Sequence, residues 1–520
     1  MTPMSSIRVL TLILLGALAL ARPAAAQTPA APEAPRARTP EGGGFGMGPP
    51  ATAAIVAATV AATSAVPPGP DEATWDSVRA NYQMPEWFRD GKFGIFLHWG
   101  LYAVPAHGSE WYLKHMYGDR ATVQWHTEHF GPPDRFGYKD FIPMFTAARW
   151  DPAGWARLFK EAGAKYVVLT AEHHDGFSLW DSALNPWNAV RMGPKRDLVG
   201  DLATAVRAEG LKFGVSNHSI EHYTFINPLP GLKTDLEDPR YATFYWVDHN
   251  DANLTRFLEL WVEKNDELID KYRPDLIYFD NGVNARIYDP LKLRVAAYYF
   301  NRAAAWGKQV TFATKDSAYL AGSILDYERQ SRAPTTLQPE VFQVDDSVFQ
   351  RWGYLTDAHY WNVGEIVDHL VENVCRNGNL LLNFAPKPDG TLPDEQVALL
   401  RGIGRWLAIN GEAIYGTRPW VEAGEGALTL ERGQRYTGRD IRFTTKGGAL
   451  YAFLMAWPGA SVEITSLAAG APSAGEVTRV ELLGHAGELA FHQGTSGLEV
   501  VLPAEPPGPD AAVLRISRRR

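Results

Sequence analysis

Short apolar segments that stop abruptly at polar residues recur along the chain from Trp87 to Pro386, and amphipathic segments separate them. Apolar runs bounded by turn formers are typical of buried parallel strands, and the segments between them have helical spacing. Parallel strands need long crossover connections, which are usually helices. The pattern therefore predicts an α/β fold built as a (β/α)8-like (TIM-type) barrel, in which the carboxyl ends of the strands meet at one mouth.

Polar side chains collect at the ends of the predicted strands. The clearest example is the run from Asp275 to Asp280, where four apolar residues end in a carboxylate. In a parallel barrel that position lies on the catalytic face. We expect the other strand ends to share this mouth; they carry His98, His173, His174, Asn217, His218 and Glu328.

Two carboxylates on opposite sides of a sugar are what glycoside cleavage requires, one to attack the anomeric carbon and one to protonate the leaving oxygen. Asp280 is predicted to be the nucleophile. Glu328, in the run Asp326-Tyr-Glu328, is the candidate acid/base. The alternative for Glu328 is an ion pair with Arg329 or Arg332.

The histidines allow two interpretations. As hydrogen-bonding groups at separate strand ends they suit sugar hydroxyls. Four histidines with an aspartate could also hold zinc in a barrel hydrolase, although neighbours such as His173 and His174 point to opposite faces of a strand. In the loop after the first strand, Trp111 could stack on a sugar or anchor its loop, and Glu110 could accept sugar hydroxyls or pair with Lys114.

Composition and charge limit the classes of molecule that the protein is expected to bind. The net charge of −9 and the pI near 5.9 argue against a nucleic-acid partner. Assembly into a homo-oligomer is compatible with the sequence.

From about Trp420 onward, short alternating strands separated by Gly-rich turns predict a small β-sandwich, so we place a catalytic barrel at 76–418 and the β domain at 419–520.

The amino terminus predicts export. Residues 1–26 combine Arg8, an apolar run and the small residues Ala24 to Ala26, which is a secretory signal pattern and indicates a periplasmic or extracellular protein. Residues 27–75 are rich in Ala, Pro, Gly and Thr and are predicted to be a disordered linker. Ala51 to Val66 is too short for a membrane span, so no stable span is expected in the mature protein. The single Cys375 excludes an intramolecular disulfide.

Several stretches together resemble glycoside hydrolase family 29, the α-L-fucosidases. The resemblance runs in consistent order from about residue 80 to 420, and its motifs are Lys92-Phe-Gly-Ile-Phe-Leu-His98-Trp-Gly100, Glu110-Trp-Tyr112, His173-His-Asp-Gly-Phe177, Gly193-Pro-Lys-Arg-Asp197, Pro274-Asp275 through Asp280, and Asn377-Gly-Asn-Leu-Leu-Leu-Asn383.

This resemblance implies a barrel followed by a β-sandwich and a retaining, exo-acting hydrolase of terminal α-L-fucosyl linkages in fucosylated glycans. It implies that Asp280 is the nucleophile and that neither a metal nor another cofactor is needed. It also implies that His98, Glu110, Trp111, His173 and His174 line the fucose pocket. We add Asn217, His218, Tyr278 and Lys315 as predicted substrate-binding residues, the first two from their positions at a strand end and the last two because they stand where family members have Trp or Arg.

The chain departs from the family pattern at several positions. Ser216 stands where the family has a sugar-contacting Tyr, Tyr278 where Trp is frequent, and Lys315 where some members have Arg, which loses the bidentate fork. The acid/base is assigned to Glu328, with Glu340 as the alternative. These departures leave open a non-catalytic carbohydrate-binding relative, and the histidines leave open a zinc-dependent barrel hydrolase.

Overall fold

The computed structural model describes residues 48–428 and 434–519. Within these residues eight parallel strands close into a barrel in chain order, which confirms the predicted (β/α)8 architecture. The strands are β1 (Phe93–Leu97), β2 (Tyr166–Glu172), β3 (Lys212–Asn217), β4 (Leu276–Phe279), β5 (Thr311–Lys315), β6 (Ser323–Glu328), β7 (Phe342–Ser347) and β8 (Gly378–Phe384).

Helices cover the outside of the barrel, and several of them begin at a side chain that caps them. Asp151 accepts a hydrogen bond from the backbone N–H of Gly154 at 2.9 Å, and Asp197 accepts one from Gly200 at 2.9 Å. The α-helices among the described residues are α1 (Ala53–Ala62), α2 (Trp75–Asn81), α3 (Glu86–Gly91), α4 (Tyr112–Gly118), α5 (Arg120–His129), α6 (Pro152–Glu161), α7 (Leu198–Ala208), α8 (Ala242–Tyr245), α9 (Asp251–Tyr272), α10 (Asp289–Trp306), α11 (Val363–Cys375) and α12 (Asp394–Asn410).

The sequence pattern alone does not predict β7. Gln343, Asp345 and Asp346 interrupt its apolar run, yet every residue of the strand is buried. Gln343 and Asp345 face the barrel interior, where Gln343 donates to Asp326 at 2.7 Å and Tyr278 donates to Asp345 at 3.0 Å. Asp346 alternates to the outer face and accepts from Arg329, which follows β6, at 3.0 Å. Apolar patterning cannot identify a strand whose buried polar groups are satisfied only by other strands.

The barrel encloses a small apolar core of its own. Its members include Phe96, Tyr166, Tyr278, Ile324 and Leu381, all at most 1% exposed. Side chains alternate across a strand, so the next inward positions toward the carboxyl ends are polar, as at His98 after Phe96 and Asp280 after Tyr278. The apolar layer thus forms the floor on which the polar mouth rests.

The predicted β-sandwich follows the barrel and is also confirmed. One sheet has the order β13-β16-β11-β10-β9 and the other β12-β15-β14, and a shared apolar core lies between them. The strands are β9 (Arg418–Glu425), β10 (Ile441–Lys446), β11 (Ala449–Leu454), β12 (Ser461–Ile464), β13 (Glu476–Leu482), β14 (Phe491–Gln493), β15 (Leu498–Val501) and β16 (Ala512–Arg519). Buried Arg442 on β10 donates to Glu372 on α11 at 2.6 Å and ties this domain to the barrel.

The prediction of a disordered linker over 27–75 is wrong for its second half. From residue 48 onward the chain packs on the barrel, and α1 buries Ile55 and Val56 against α9 and α10. Small residues do not exclude a helix when neighbouring helices supply the apolar surface. The predicted signal segment 1–26 and residues 27–47 lie outside the described residues. No helix in the described part of the chain is long and apolar enough to span a bilayer.

Candidate active site

Asp280 directly follows β4 and is surrounded by cationic and hydrogen-bonding groups from three other strands. Lys315, the last residue of β5, lies with Nζ 2.6 Å from Asp280 Oδ1. His218 Nδ1 lies 3.0 Å from Asp280 Oδ2, and His174 Nε2 lies 3.6 Å from the same oxygen. The Asp280 side chain is only 14% exposed. The site therefore offers a fixed carboxylate with one oxygen on an ammonium and one beside two imidazoles.

These contacts determine the charge states of Asp280 and Lys315. Burial alone would raise the pKa of Asp280, but the Lys315 charge and the hydrogen bonds of His174 and His218 hold that pKa well below its ordinary value. Burial alone would lower the pKa of Lys315, but Asp280 and the neighbouring carboxylates raise it well above its ordinary value. Asp280 is thus an ionised carboxylate and Lys315 an ammonium.

Glu328, the last residue of β6, reaches the same ammonium. Its Oε2 lies 3.2 Å from Lys315 Nζ and 3.7 Å from Arg332, the partner expected if the residue were purely structural. Because one ammonium lies 2.6 Å from Asp280 Oδ1 and 3.2 Å from Glu328 Oε2, these two oxygens are at most about 5.8 Å apart, the sum of both distances. The Glu328 side chain is 24% exposed, more open to solvent than that of Asp280.

Glu340 does not belong to this mouth. It lies two residues before β7 and is exposed. In a parallel barrel the residues that precede the strands lie at the end opposite to those that follow them. The alternative assignment of the acid/base to Glu340 is therefore wrong, because strand direction places it away from Asp280.

His174 lies between two carboxylates. Its Nε2 faces Asp280, and its Nδ1 lies 3.7 Å from Glu221 Oε2 and 3.0 Å from the backbone oxygen of His218. Burial lowers the pKa of His174, but Glu221 and Asp280 outweigh it and raise that pKa above its ordinary value. Both carboxylates therefore favour the protonated form of His174, which donates toward Asp280.

His98 and His173 are held as neutral rings. Burial lowers the pKa of both well below the ordinary value, and the adjacent histidines lower it further. Asn383 donates through Nδ2 to Ser347 and Trp352, so its Oδ1 accepts from His98 Nδ1 at 2.9 Å and leaves Nε2 of that ring as an acceptor. His173 Nδ1 is buried and has no hydrogen-bond partner among the described residues. Both rings can therefore bind sugar hydroxyls.

Glu110 and Trp111 join the site from the loop after β1. Glu110 Oε2 accepts backbone N–H groups of Trp352 at 3.0 Å and Gly353 at 3.2 Å, so it ties its loop to the loop after β7 instead of pairing with Lys114. The ring of Trp111 lies edge-on to that of His174, with centroids 6.0 Å apart. The loop thus completes one wall beside the imidazoles.

Two predicted substrate contacts are wrong. Asn217 is the last residue of β3 and alternates outward, where its Nδ2 donates to Asn265 of α9 at 3.1 Å. Tyr278 faces inward but is 0% exposed, and Asp345 accepts its hydroxyl hydrogen. Asn217 therefore braces the outside of the barrel wall, and Tyr278 forms part of the floor below the polar mouth. Ser216, in place of the family's Tyr, lies 2.9 Å from His218 Nε2 and orients that ring.

Sequence reasoning missed two residues at the mouth. Glu221 lies in the short 3-10 helix Ser219–Thr224 after β3, and its Oε1 is buried without a partner among the described residues. Trp352, in the loop after β7, lies with its ring centroid 5.1 Å from that of His98. No strand pattern marks either position, because both are on connections that only the closed barrel brings to the site.

Gly282, two residues after Asp280, allows the turn after β4 to lie close to the 3-10 helix that carries Glu221. Its φ of +89° is a left-handed conformation, and a Cβ there would lie 2.7 Å from Glu221 Cγ and 2.8 Å from Ile220 Cγ2. Glycine at this position allows the turn after β4 to pack directly against the 3-10 helix that carries Glu221.

Among the residues that the structure describes, two groups of side chains are close enough to hold a metal ion: His98, His173 and His218, and His174, His218 and Asp280. His218 belongs to both, and its two ring nitrogens already contact Asp280 and Ser216. Lys315 and His174 already supply positive charge at Asp280. A metal ion would have to displace these contacts, so the arrangement suits a neutral polar ligand better.

Comparison with known sequences gives one consistent result. The profile of the α-L-fucosidase family matches residues 58–412, and that of the α-L-fucosidase C-terminal domain matches residues 435–517. The chain is 35% identical to bovine tissue α-L-fucosidase over 457 residues, covering 83% of this chain and 87% of the relative. It is 34% identical to human plasma α-L-fucosidase over 446 residues, with 83% and 88% covered.

Solved structures agree with the sequence matches. The α-fucosidase of Thermotoga maritima in complex with a mechanism-based inhibitor superimposes with a TM-score of 0.70 at 31% identity, covering 86% of this chain and all of that chain. The same enzyme in complex with fucose gives a TM-score of 0.69 at 31% identity with the same coverage.

Proposed function

The chain belongs to the α-L-fucosidase family, glycoside hydrolase family 29, and from this membership we propose that it is an exo-acting, retaining α-L-fucosidase that acts on terminal α-L-fucosyl groups of glycans. Its substrate is a fucosylated oligosaccharide or glycoconjugate. We further propose, from the signal pattern of residues 1–26, that it acts after export, in the periplasm or outside the cell.

The observation that carries the mechanism is the short span between Asp280 and Glu328. Retaining glycosidases hold their two carboxyl groups about 5 to 5.5 Å apart, whereas inverting enzymes leave about 6.5 to 9.5 Å for an intervening water. Lys315 bridges both groups and limits their nearest oxygens to about 5.8 Å. This favours double displacement over a single inversion.

In the first step Asp280 Oδ attacks the anomeric carbon while Glu328 donates its proton to the glycosidic oxygen. The bond between that carbon and that oxygen breaks, the aglycone leaves as an alcohol, and the sugar is held as an ester of Asp280. In the second step Glu328, now a carboxylate, takes a proton from water as the water oxygen attacks the same carbon. The ester bond breaks, Asp280 is regenerated, and fucose leaves with its original α configuration.

The other polar groups bind the sugar and stabilise charge. His98, His173 and His174 line the pocket with acceptor and donor nitrogens, and Trp111 gives an apolar wall for the sugar's hydrophobic face. Lys315, His174 and His218 keep the nucleophile ionised between turnovers. The low pKa of Asp280 also makes it a good leaving group in the second step.

The decisive experiment is hydrolysis of an aryl α-L-fucoside, with aryl galactoside and arabinoside as controls and proton NMR of the sugar first released. We expect fucoside-selective turnover and the α anomer before mutarotation. A first-formed β anomer would contradict the retaining mechanism. Binding of fucose without turnover would favour the non-catalytic relative, and loss of activity on chelation that returns with zinc would favour the metal-dependent alternative.

The nucleophile is tested separately. Asp280→Ala should abolish nearly all turnover, and added azide should restore release of the aryl alcohol, with a fucosyl azide of inverted configuration as product. Azide is small enough to occupy the space left by the carboxylate and attack from the same face. Full activity of Asp280→Ala would overturn the assignment.

A further inference from the structure

Two further aspartates lie inside the barrel beside the proposed catalytic pair. Asp326 on β6 and Asp345 on β7 are each 2% exposed. Asp326 is the register partner of Lys315 on β5, and Asp345 is the register partner of Glu328 on β6. Register partners on neighbouring strands point to the same face, about 4.8 Å apart along the hydrogen-bonding direction. Both aspartates therefore face the space that holds Lys315.

Each aspartate has one oxygen with a donor and one without. Gln343 Nε2 donates to Asp326 Oδ1 at 2.7 Å, and the Tyr278 hydroxyl donates to Asp345 Oδ2 at 3.0 Å. Asp326 Oδ2 and Asp345 Oδ1 are buried, and neither oxygen accepts a hydrogen bond from a donor among the other described residues. The two aspartates are hydrogen-bonded to each other through their side chains. Two ionised carboxylates cannot donate to each other, so one of the pair must carry a proton.

The pKa directions agree with this geometry. Burial, and next the charge and hydrogen bond of Asp345, raise the pKa of Asp326 well above its ordinary value. Burial raises the pKa of Asp345 to about 6, whereas Lys315 and the hydrogen bond to Asp326 lower it. Like charges in contact cannot both ionise. The proton therefore belongs to Asp326 and the negative charge to Asp345.

The Lys315 ammonium is surrounded by acidic side chains. Its ammonium faces Asp280 of the turn after β4, Glu328 of β6 and the charge of Asp345 of β7, and the ring of Tyr278 lies 5.9 Å from Nζ. Asp280 gives the shortest of these contacts. In the proposed mechanism, however, Asp280 becomes an uncharged ester halfway through each turnover and then loses most of its attraction for Lys315.

We propose that Asp345 and Asp326 form a proton-sharing pair whose single negative charge holds Lys315 beside Glu328 while Asp280 is esterified. The proposal rests on the proposed function, because it takes Asp280 and Glu328 as the catalytic carboxylates. Asp345 is then a positioning residue that acts through Lys315 and does not touch the sugar. Its role falls in the second step, when water attacks the fucosyl ester.

The matched variants are Asp345→Asn and Asp326→Asn. Asparagine at 345 removes the charge, whereas asparagine at 326 keeps a neutral group whose N–H can donate to Asp345 as the shared proton does. Each is assayed with an aryl α-L-fucoside in the steady state and by stopped flow. We expect Asp345→Asn to lower kcat about thirtyfold and KM in parallel, with a burst of aryl alcohol, and Asp326→Asn to lower kcat only about threefold without a burst.

The burst separates a slow second step from general damage, because a merely loosened fold lowers both steps and gives no burst. Equal losses in the two variants, or an Asp345→Asn enzyme without a burst, would overturn the proposal. If Asp345→Asn does not fold, as judged by circular dichroism, Asp345→Ser, which also removes the charge, must show the burst instead, and its absence there also overturns the proposal. Failure of the proposed function would appear independently, as a first-formed β anomer or an active Asp280→Ala enzyme.

Discussion

The imidazole of His174 lies between two acidic side chains, with Nδ1 3.7 Å from Glu221 Oε2 and Nε2 3.6 Å from Oδ2 of Asp280, the proposed nucleophile. Glu221 is 8% exposed, and burial raises its own pKa. The glutamate thus stabilises a positive charge on His174, which in turn stabilises the ionised Asp280. Glu221, which the sequence did not reveal, therefore acts on the proposed nucleophile through the ring of His174.

Replacing Glu221 by Gln should lower the pKa of His174. That pKa is raised in the folded protein from an ordinary value of 6.5. The contribution of His174 to the free energy of unfolding is therefore fully present below 6.5 and is lost as the pH rises through the raised pKa of the folded state. In Glu221→Gln this loss should occur at lower pH, as measured by denaturant unfolding at a series of pH values and by NMR titration of the ring.

Because His174 then carries less positive charge beside Asp280, kcat/KM of Glu221→Gln should be about tenfold lower at neutral pH. Glu237→Gln is the control, since Glu237 is exposed in the same connection after β3. An unchanged His174 titration in Glu221→Gln would refute the electrostatic role.

Replacing Lys315 by Met should lower kcat about a hundredfold, because Asp280 loses the cation that outweighs its burial. Lys315→Arg should recover part of this activity through its charge, in a different geometry. The measurement is the pH profile of kcat/KM, in which the acidic limb should move to higher pH in Lys315→Met. Lys308→Met is the control, because it removes a lysine 3.1 Å from Asp275, which precedes β4 at the opposite end of the barrel.

Removing Glu328 should affect substrates according to their leaving groups. Glu328→Ala should slow release of a poor leaving group, such as a sugar, about a thousandfold, while an activated aryl group that needs no proton should leave almost as fast as before. Glu340→Ala should behave as the unmodified enzyme, because that residue lies at the other end of the barrel. The reverse pattern would show that the acid/base assignment is mistaken.

Truncating Val56 in α1 to Ala should reduce the free energy of unfolding by about 1 to 2 kcal/mol, because its side chain is 2% exposed against the barrel helices. Ala58→Ser, on the exposed side of the same helix, should have little effect. The comparison is made by thermal or denaturant unfolding. Equal stability of both variants would mean that this segment behaves as a linker in solution.

The barrel was predictable because its signal is local and repeated. Each strand except β7 has an apolar run, and Asp280 and Glu328 follow or end such runs. β7 was missed because its inward residues are polar and are satisfied only across the barrel, as where Gln343 donates to Asp326. The ordered segment from residue 48 was missed because small residues carry no signal of a partner surface.

The sequence by itself determined the fold class, the family and the position of the proposed nucleophile, since apolar periodicity and collinear motifs are properties of the chain read one residue after another. Only the tertiary structure decided which groups meet Asp280. Strand direction excluded Glu340, side-chain alternation turned Asn217 outward, and closure of the barrel brought Lys315 between Asp280 and Glu328. Electrostatic energies depend on distances of a few ångströms between residues far apart in the chain, and those distances exist only after folding.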